Sequence, residues 1–414
     1  MVRGSILDDA KRKQARLCPM ESWDIVVVGA GIAGVSAVRT LAEAGGSRRV
    51  LLVNGERTPP YKRTKLSKHI ASGFSPSDYA LESASWYEEK GITLKTDAVA
   101  EEIRRDERVL RLSDGSEHHY ESLILATGSE PLYPKTVRAH ETESFFVVRS
   151  EVDIERLTRS AKKAKRILVD GMGVLSVEVA AELRSMNKNV TLVGATPQVM
   201  PRHLNMRAGE IMEDLLTSNG VKLHFQEEIL SFEPRKKGGF SVTMIRETGA
   251  YDMIVFCIGV EPRTSLAEEA GLEVGRGVIV DEYLRTSDPA IFAVGDCAEH
   301  SGGRVTDLWH AAEYQGEVAA KNAIGESHKF DDPAFRLKCE VFGAYFFSIN
   351  KPRHPLDHGI EEREAGSRYQ CFYFDDDELV GAIMVNDKAR AKEYQTAVRE
   401  RWNRQRVIDT FIDN

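Results

Sequence analysis

Apolar residues follow two rhythms along this 414-residue chain. In "WDIVVVGAGIAGVSAVRTLAEAG", Trp23 to Gly45, a continuous apolar run gives way to glycines and then to apolar residues at helical spacing. That order predicts a strand, a tight turn and a helix. "RRVLLVNGE" follows as a second strand, and the whole pattern returns in "KRILVDGMGVLSVEVAAELRSMNKNVTLVG", Lys165 to Gly194. Beyond Phe330 the rhythm changes. "RYQCFYF" and "ELVGAIMV" predict two alternating strands around an acidic turn, Asp375 to Asp377, before a charged helix rich in Arg and Glu.

This layout predicts an α/β chain of two nested, doubly wound (Rossmann-like) nucleotide-binding domains plus a small C-terminal α+β interface domain. The boundaries read as 1–20 for a flexible extension, 21–145 with 255–328 for the first nucleotide domain, 146–254 for a second inserted into it, and 329–414 for the interface domain. The extension lacks the apolar centre of a secretory signal, and Asp8 and Asp9 speak against a transit peptide; either Met1 or Met20 could be the start.

Composition narrows the field. A formal charge of -8 argues against a general nucleic-acid binder, and no stretch offers the roughly 18 uninterrupted apolar residues of a membrane span. The cysteines, Cys18, Cys257, Cys297, Cys339 and Cys371, form no Cys-x-x-Cys pair. Cys257, Cys339 and Cys371 lie in apolar or aromatic runs and read as core thiols, consistent with a reducing, cytoplasmic setting.

The first glycine loop has the spacing that phosphate binding needs. Gly29 permits the turn, Gly31 lets a pyrophosphate approach the backbone, and Gly34 lets the helix pack on the strand, with the small Ala30 and Ala33 between them. Unpaired N–H groups at the helix start suit phosphate oxygens. Glu56, after the second strand, is placed to accept from ribose hydroxyls. Two further apolar runs end in short motifs, "YESLILATGSEP" at Thr127-Gly128 and "AIFAVGDCAEH" at Gly295-Asp296.

Together with "PPYKRTKLSK", these motifs resemble the FAD-dependent pyridine nucleotide-disulfide oxidoreductase superfamily. The resemblance implies bound FAD, with Asp296 on its ribityl chain, Arg63 and Lys68 near the flavin, Val99 meeting the adenine through its backbone, and Trp309 beside the isoalloxazine. The segment from Glu56 to Lys68 has no cysteine, which excludes flavin-cysteine disulfide chemistry. Its pattern, with "SASWYEEKGITL", "LWHAAEYQGEVAAKNAIG" and "FRLKCEVFGAYFFSIN", looks closest to rubredoxin and ferredoxin reductases and the flavin part of NADH-dependent nitrite reductases.

That branch implies hydride transfer from NADH or NADPH to flavin N5, and then single electrons to a small iron-containing carrier such as rubredoxin or ferredoxin. Lys68 would favour the reduced flavin, Glu178 would fix the lysine and the carboxamide, and Gly259 of "FCIGVEP" would lie near the nicotinamide. An acidic carrier could dock on Arg63 and Lys65, or on the basic run "RERWNRQR". A homodimer through the C-terminal domain stays open.

The second loop departs from the pattern. Gly171 and Gly173 are kept, but Ser176 replaces the third glycine, a tolerable change. Asp170, just before the turn, is expected to face the cofactor's phosphates; within about 6 Å, at an effective dielectric near 20, repulsion would approach about 3 kcal/mol. Gly194 stands where an NAD site usually has an acid, and no arginine follows until Arg202, so NADH and NADPH are not told apart. Asp170→Ile with Gly194→Glu is expected to tighten NADH binding. Two other readings stay open: an NAD(P)H oxidase, and a flavin-binding signalling or scaffold protein with a decayed nucleotide site, resembling apoptosis-inducing factors.

Overall fold

The structure is a computed structural model and describes residues 20–134, 144–236, 238–331, 334 and 336–412; the expected extension up to residue 19, with Cys18, lies outside the described residues. The chain forms two compact units. One comprises Met1–Arg63, Ser75–Glu130 and Glu261–Pro333, the other Thr64–Phe74, Pro131–Val260 and Ala334–Asn414.

The first unit is built on β1 (Glu21–Val28), α1 (Ile32–Glu43) and β2 (Val50–Val53). β1 pairs in parallel with β2 on one side and with Glu117–Leu125 on the other, at the centre of a seven-stranded sheet. Val26 and Val27 of β1 are fully buried, as a strand covered on both faces must be. The helix Trp309–Ala323 lies close against α1: a Cβ at Gly316 would come within 2.1 Å of the Ala33 carbonyl oxygen.

The second unit repeats the plan with β3 (Arg166–Asp170), α2 (Val174–Ser185) and β4 (Asn189–Gly194). β3 lies between β4 and Met253–Phe256, in parallel with both. One face of this sheet shares a core with a three-stranded antiparallel sheet: Leu168 and Ile254 pack with Phe232, Phe240 and Val242. Glycine loops thus follow the central strand in both units.

The same unit carries five antiparallel strands from Arg336 onward. The expected alternation of "RYQCFYF" and "ELVGAIMV" is not found: the strands Arg368–Asp375 and Glu378–Val385 are buried on both faces. One face packs Phe372, Phe374 and Met384 on Tyr394 and Phe411. The other meets the helix Met206–Ser218, where Asn205 Nδ2 donates to Tyr369 Oη at 2.6 Å and Arg207 pairs with Glu364. The acidic turn is as expected, with Asp375 opposite Glu378 and Asp376 left-handed, a conformation Asp tolerates. Cys339 and Cys371 are buried, and Cys257, just past the end of Met253–Phe256, keeps some exposed surface while burial pushes its thiol up, as expected of a core thiol. Among the described residues no helix is long and apolar enough to cross a membrane.

Candidate functional site

In the first loop each glycine answers a separate steric demand. Gly29 has φ +105°, and a Cβ there would lie 2.1 Å from the Ala126 carbonyl oxygen. At Gly34 a Cβ would lie 1.9 Å from the Gly29 oxygen, so only hydrogen lets α1 settle on the turn. Gly31 faces open space and caps α1 without a side chain, which leaves the first N–H groups of the helix directed outward. Such an arrangement can accept a diphosphate.

The other residues expected of the unit make contacts of their own. Glu56 accepts from the Tyr61 hydroxyl at 2.7 Å and from the Arg63 guanidinium, so these residues form one charged cluster. The Val99 side chain lies 3.6 Å from where a Cβ at Gly55 would be. Its N–H donates to Ser113 Oγ at 3.1 Å and its carbonyl accepts from the Ser113 N–H at 2.8 Å, so the backbone expected to meet adenine is itself held by Ser113. Thr127 Oγ1 donates to the Arg263 carbonyl and Gly128 accepts from Arg263 N–H. Ser129 Oγ donates to Asp296 Oδ2 at 2.7 Å, tying the two strand-end motifs together. Gly295 N–H donates to the buried Gln315 at 2.6 Å, and Trp309 is a partly buried residue against the core.

The second loop is built differently. Gly171 has φ +129°, and a Cβ there would lie 2.3 Å from the Cys257 carbonyl oxygen; Gly173, like Gly31, faces open space and caps its helix without a side chain. Ser176 is completely buried and donates its hydroxyl to the Gly173 carbonyl at 3.0 Å, so the extra polar atom is satisfied. Asp170 is 8% exposed, and among the described residues no cation pairs with its carboxyl. Burial, and then the negative charge of Glu228, pushes this carboxyl up to about 7. Asp170 is therefore a buried acid that takes up a proton as the pH falls through neutrality.

Glu178, on α2, accepts from Ser67 Oγ at 2.5 Å and lies 3.4 Å from Lys68 Nζ. The two sides of this cluster stand far apart in sequence, and the fold brings them together beside a cavity of about 480 Å³ that Glu182, Arg184 and Phe342 also line. Cys339 lies near the pair, but burial and the Glu178 charge push its thiol up to about 12, which leaves it inert. Gly259 has φ +131° and accepts from Leu132 N–H at 3.0 Å.

Sequence reasoning missed Ser67, Ser129, Gln315 and Met172. Ser67 was within reach, since it directly precedes Lys68 in "LSK"; the others act through contacts with residues distant in sequence or outside their own motif. The arginines of the expected docking run make local contacts at the surface. Arg401 pairs with Glu378, Arg404 with Glu361 and Arg399 with Glu400, while Arg406 lies over the Trp402 ring, so these arginines already have partners.

A glycine turn opening a helix in each unit, and a lysine held by a buried glutamate, are features that a nucleotide-dependent oxidoreductase can use. Residues 23–316 match the family model for pyridine nucleotide-disulphide oxidoreductases, and the chain belongs to that family. Residues 333–402 match the C-terminal domain of rubredoxin NAD+ reductase. The rubredoxin-NAD(+) reductase of Pseudomonas putida is 34% identical over 312 residues, covering 73% of this chain and 80% of that protein. Nitrite reductase [NAD(P)H] of Bacillus subtilis is 28% identical over 385 residues; the match covers 89% of this chain but only 46% of that enzyme. Among solved structures, a covalent putidaredoxin reductase-putidaredoxin complex is similar, with TM-score 0.83 and 25% identity over 92% of this chain and 93% of that one.

Proposed function

We propose that this chain is an FAD-dependent NAD(P)H oxidoreductase that passes electrons to a small iron-containing carrier of the rubredoxin or ferredoxin type. The observation that carries the reading is the Ser67–Lys68–Glu178 cluster, a buried carboxylate holding a lysine at the side of a cavity. The relatives whose names describe rubredoxin and ferredoxin reduction support it.

The residues present fit FAD. Gly29, Gly31 and Gly34, with Ala30 and Ala33, would hold the diphosphate at the start of α1; Glu56 would accept from the ribose, and Asp296, oriented by Ser129, from the ribityl chain. Arg63, Val99, Thr127, Gly128 and Trp309 would complete that site. Gly171, Gly173, Ser176 and Gly259 would hold the nicotinamide nucleotide. Bound FAD supplies the chemistry, accepting a hydride at N5 and releasing electrons singly. The Lys68 ammonium, held by Glu178 Oε1, would supply positive charge where charge accumulates, and Ser67 would keep the carboxylate turned toward it. We place the protein in the cytoplasm, where its buried thiols stay reduced.

The test is anaerobic: FAD-loaded protein, NADH or NADPH, and a rubredoxin or ferredoxin, with the carrier's visible absorbance followed. Reduction of the carrier supports the reading, and Lys68→Met should slow flavin reduction about 100-fold. NADH consumption by oxygen with no carrier reduced would make the protein an oxidase. A flavin that neither nucleotide reduces would favour a binding module.

A further inference from the structure

Gly194 ends β4 without a left-handed φ, so its backbone does not demand glycine. Space demands it. A Cβ at 194 would lie 2.7 Å from Met172 Cγ, and 3.5 Å from the Met172 nitrogen and the Gly171 carbonyl carbon. The clash is with the middle of the methionine side chain, so relief requires the whole side chain to move. Met172 has little freedom to do so: it is 5% exposed, and its carbonyl accepts the Met200 N–H at 2.7 Å. The first loop carries Ala30 at the corresponding place, between its first two glycines.

The bulk of Met172 and the missing side chain at Gly194 are therefore one change. A long side chain in the glycine loop occupies the place from which a strand end reads the adenosine 2′ position, and the strand end gives up its own side chain to admit it. The residues that follow offer no substitute. Thr196 Oγ1 donates to the Gln198 carbonyl at 2.9 Å, and Gln198 Nε2 donates to the Leu204 and Asn205 carbonyls, so both polar side chains are turned onto local backbone. A thioether can neither accept from a 2′-hydroxyl as a carboxylate does nor pair with a 2′-phosphate as a guanidinium does.

We propose that Met172 and Gly194 act as a coupled pair that removes recognition of the 2′ substituent, so that this site takes NADH and NADPH with little discrimination. The inference rests on the reading that the β3–α2–β4 unit binds a nicotinamide dinucleotide. It also sets a further condition on the tightening expected of Asp170→Ile with Gly194→Glu: the new carboxylate cannot be placed while Met172 stays.

The experiment is calorimetric titration of the FAD-loaded protein with NAD+ and with NADP+, which needs no turnover, together with anaerobic titration with NADH and NADPH. The pair predicts dissociation constants within about threefold of each other for each couple. Gly194→Glu alone should lower the melting temperature and gain no NAD selectivity, whereas Met172→Ala with Gly194→Glu should prefer the nucleotide without the 2′-phosphate at least 30-fold. Met172→Ala alone should stay near parity. A native preference above tenfold overturns the proposal, including one for NADPH that Arg202→Ala abolishes, as does full selectivity from Gly194→Glu alone. Failure of every nucleotide to bind at millimolar concentration is a different result, because it removes the nucleotide reading itself.

Discussion

The two glycine loops start from the same plan and solve it differently. In the first, every demand is met by leaving atoms out: Gly34 sits so close to Gly29 that a Cβ would be 1.9 Å from its oxygen. In the second, atoms are put in and accommodated. Ser176 returns its hydroxyl to Gly173, Met172 lies on Gly194, and Asp170 is buried at the end of β3. A fingerprint with two defects is thus, in three dimensions, a loop repacked around larger side chains. Close packing explains why such changes come in sets: an interior filled to crystal density admits a side chain only where another gives way.

Exchanging the third position of the two loops should break the symmetry most strongly. Gly34→Ser forces a Cβ against the Gly29 carbonyl and should cost about 3 kcal/mol or more, with loss of bound FAD. Ser176→Gly removes one satisfied hydroxyl and adds helix flexibility, at about 1 kcal/mol. Urea unfolding of both variants gives the comparison directly; equal losses would mean that the serine is as strained as its first-loop counterpart would be.

Asp170 predicts a pH signature that the first loop, with Val28 at the equivalent place, cannot have. Its carboxyl is raised from 3.8 to about 7 in the folded state, so between those values the folded chain holds a proton that the unfolded chain releases. Stability should therefore be highest at the acidic end of this window and fall as pH rises toward 7, by up to about 4 kcal/mol from this group. Asp170→Asn should remove that slope in unfolding experiments between pH 4.5 and 8. An unchanged slope would place the titration elsewhere.

The smallest effect is expected at the surface. Because Arg399, Arg401, Arg404 and Arg406 already have partners, carrier reduction should change less than about threefold as salt is raised through the range where exposed charges are screened. A steep fall would show that a cationic surface still steers the carrier.

The parts legible in the sequence were those written locally. An apolar run, glycines at fixed spacing and a helical rhythm placed β1–α1–β2 and β3–α2–β4, and Lys68 and Glu178 could be named from their motifs alone. What escaped was set by contacts between distant residues. Nothing near Gly194 announces that Met172 covers it, Gln315 gives no local sign of its bond to Gly295, and the alternation expected of "RYQCFYF" fails because both faces of that sheet are covered. Asp170 was visible as an anomaly, but its charge state depends on burial, which a linear sequence does not display.

The second loop is repacked around Met172 and Ser176, and a repacked loop should still serve the flavin. The most direct measurement of this is an anaerobic titration of the FAD-loaded protein with NADH, following flavin absorbance near 450 nm. The account predicts bleaching at stoichiometric to low-millimolar NADH, with NADPH alike within about threefold. A flavin that stays yellow with either nucleotide at several millimolar would contradict it.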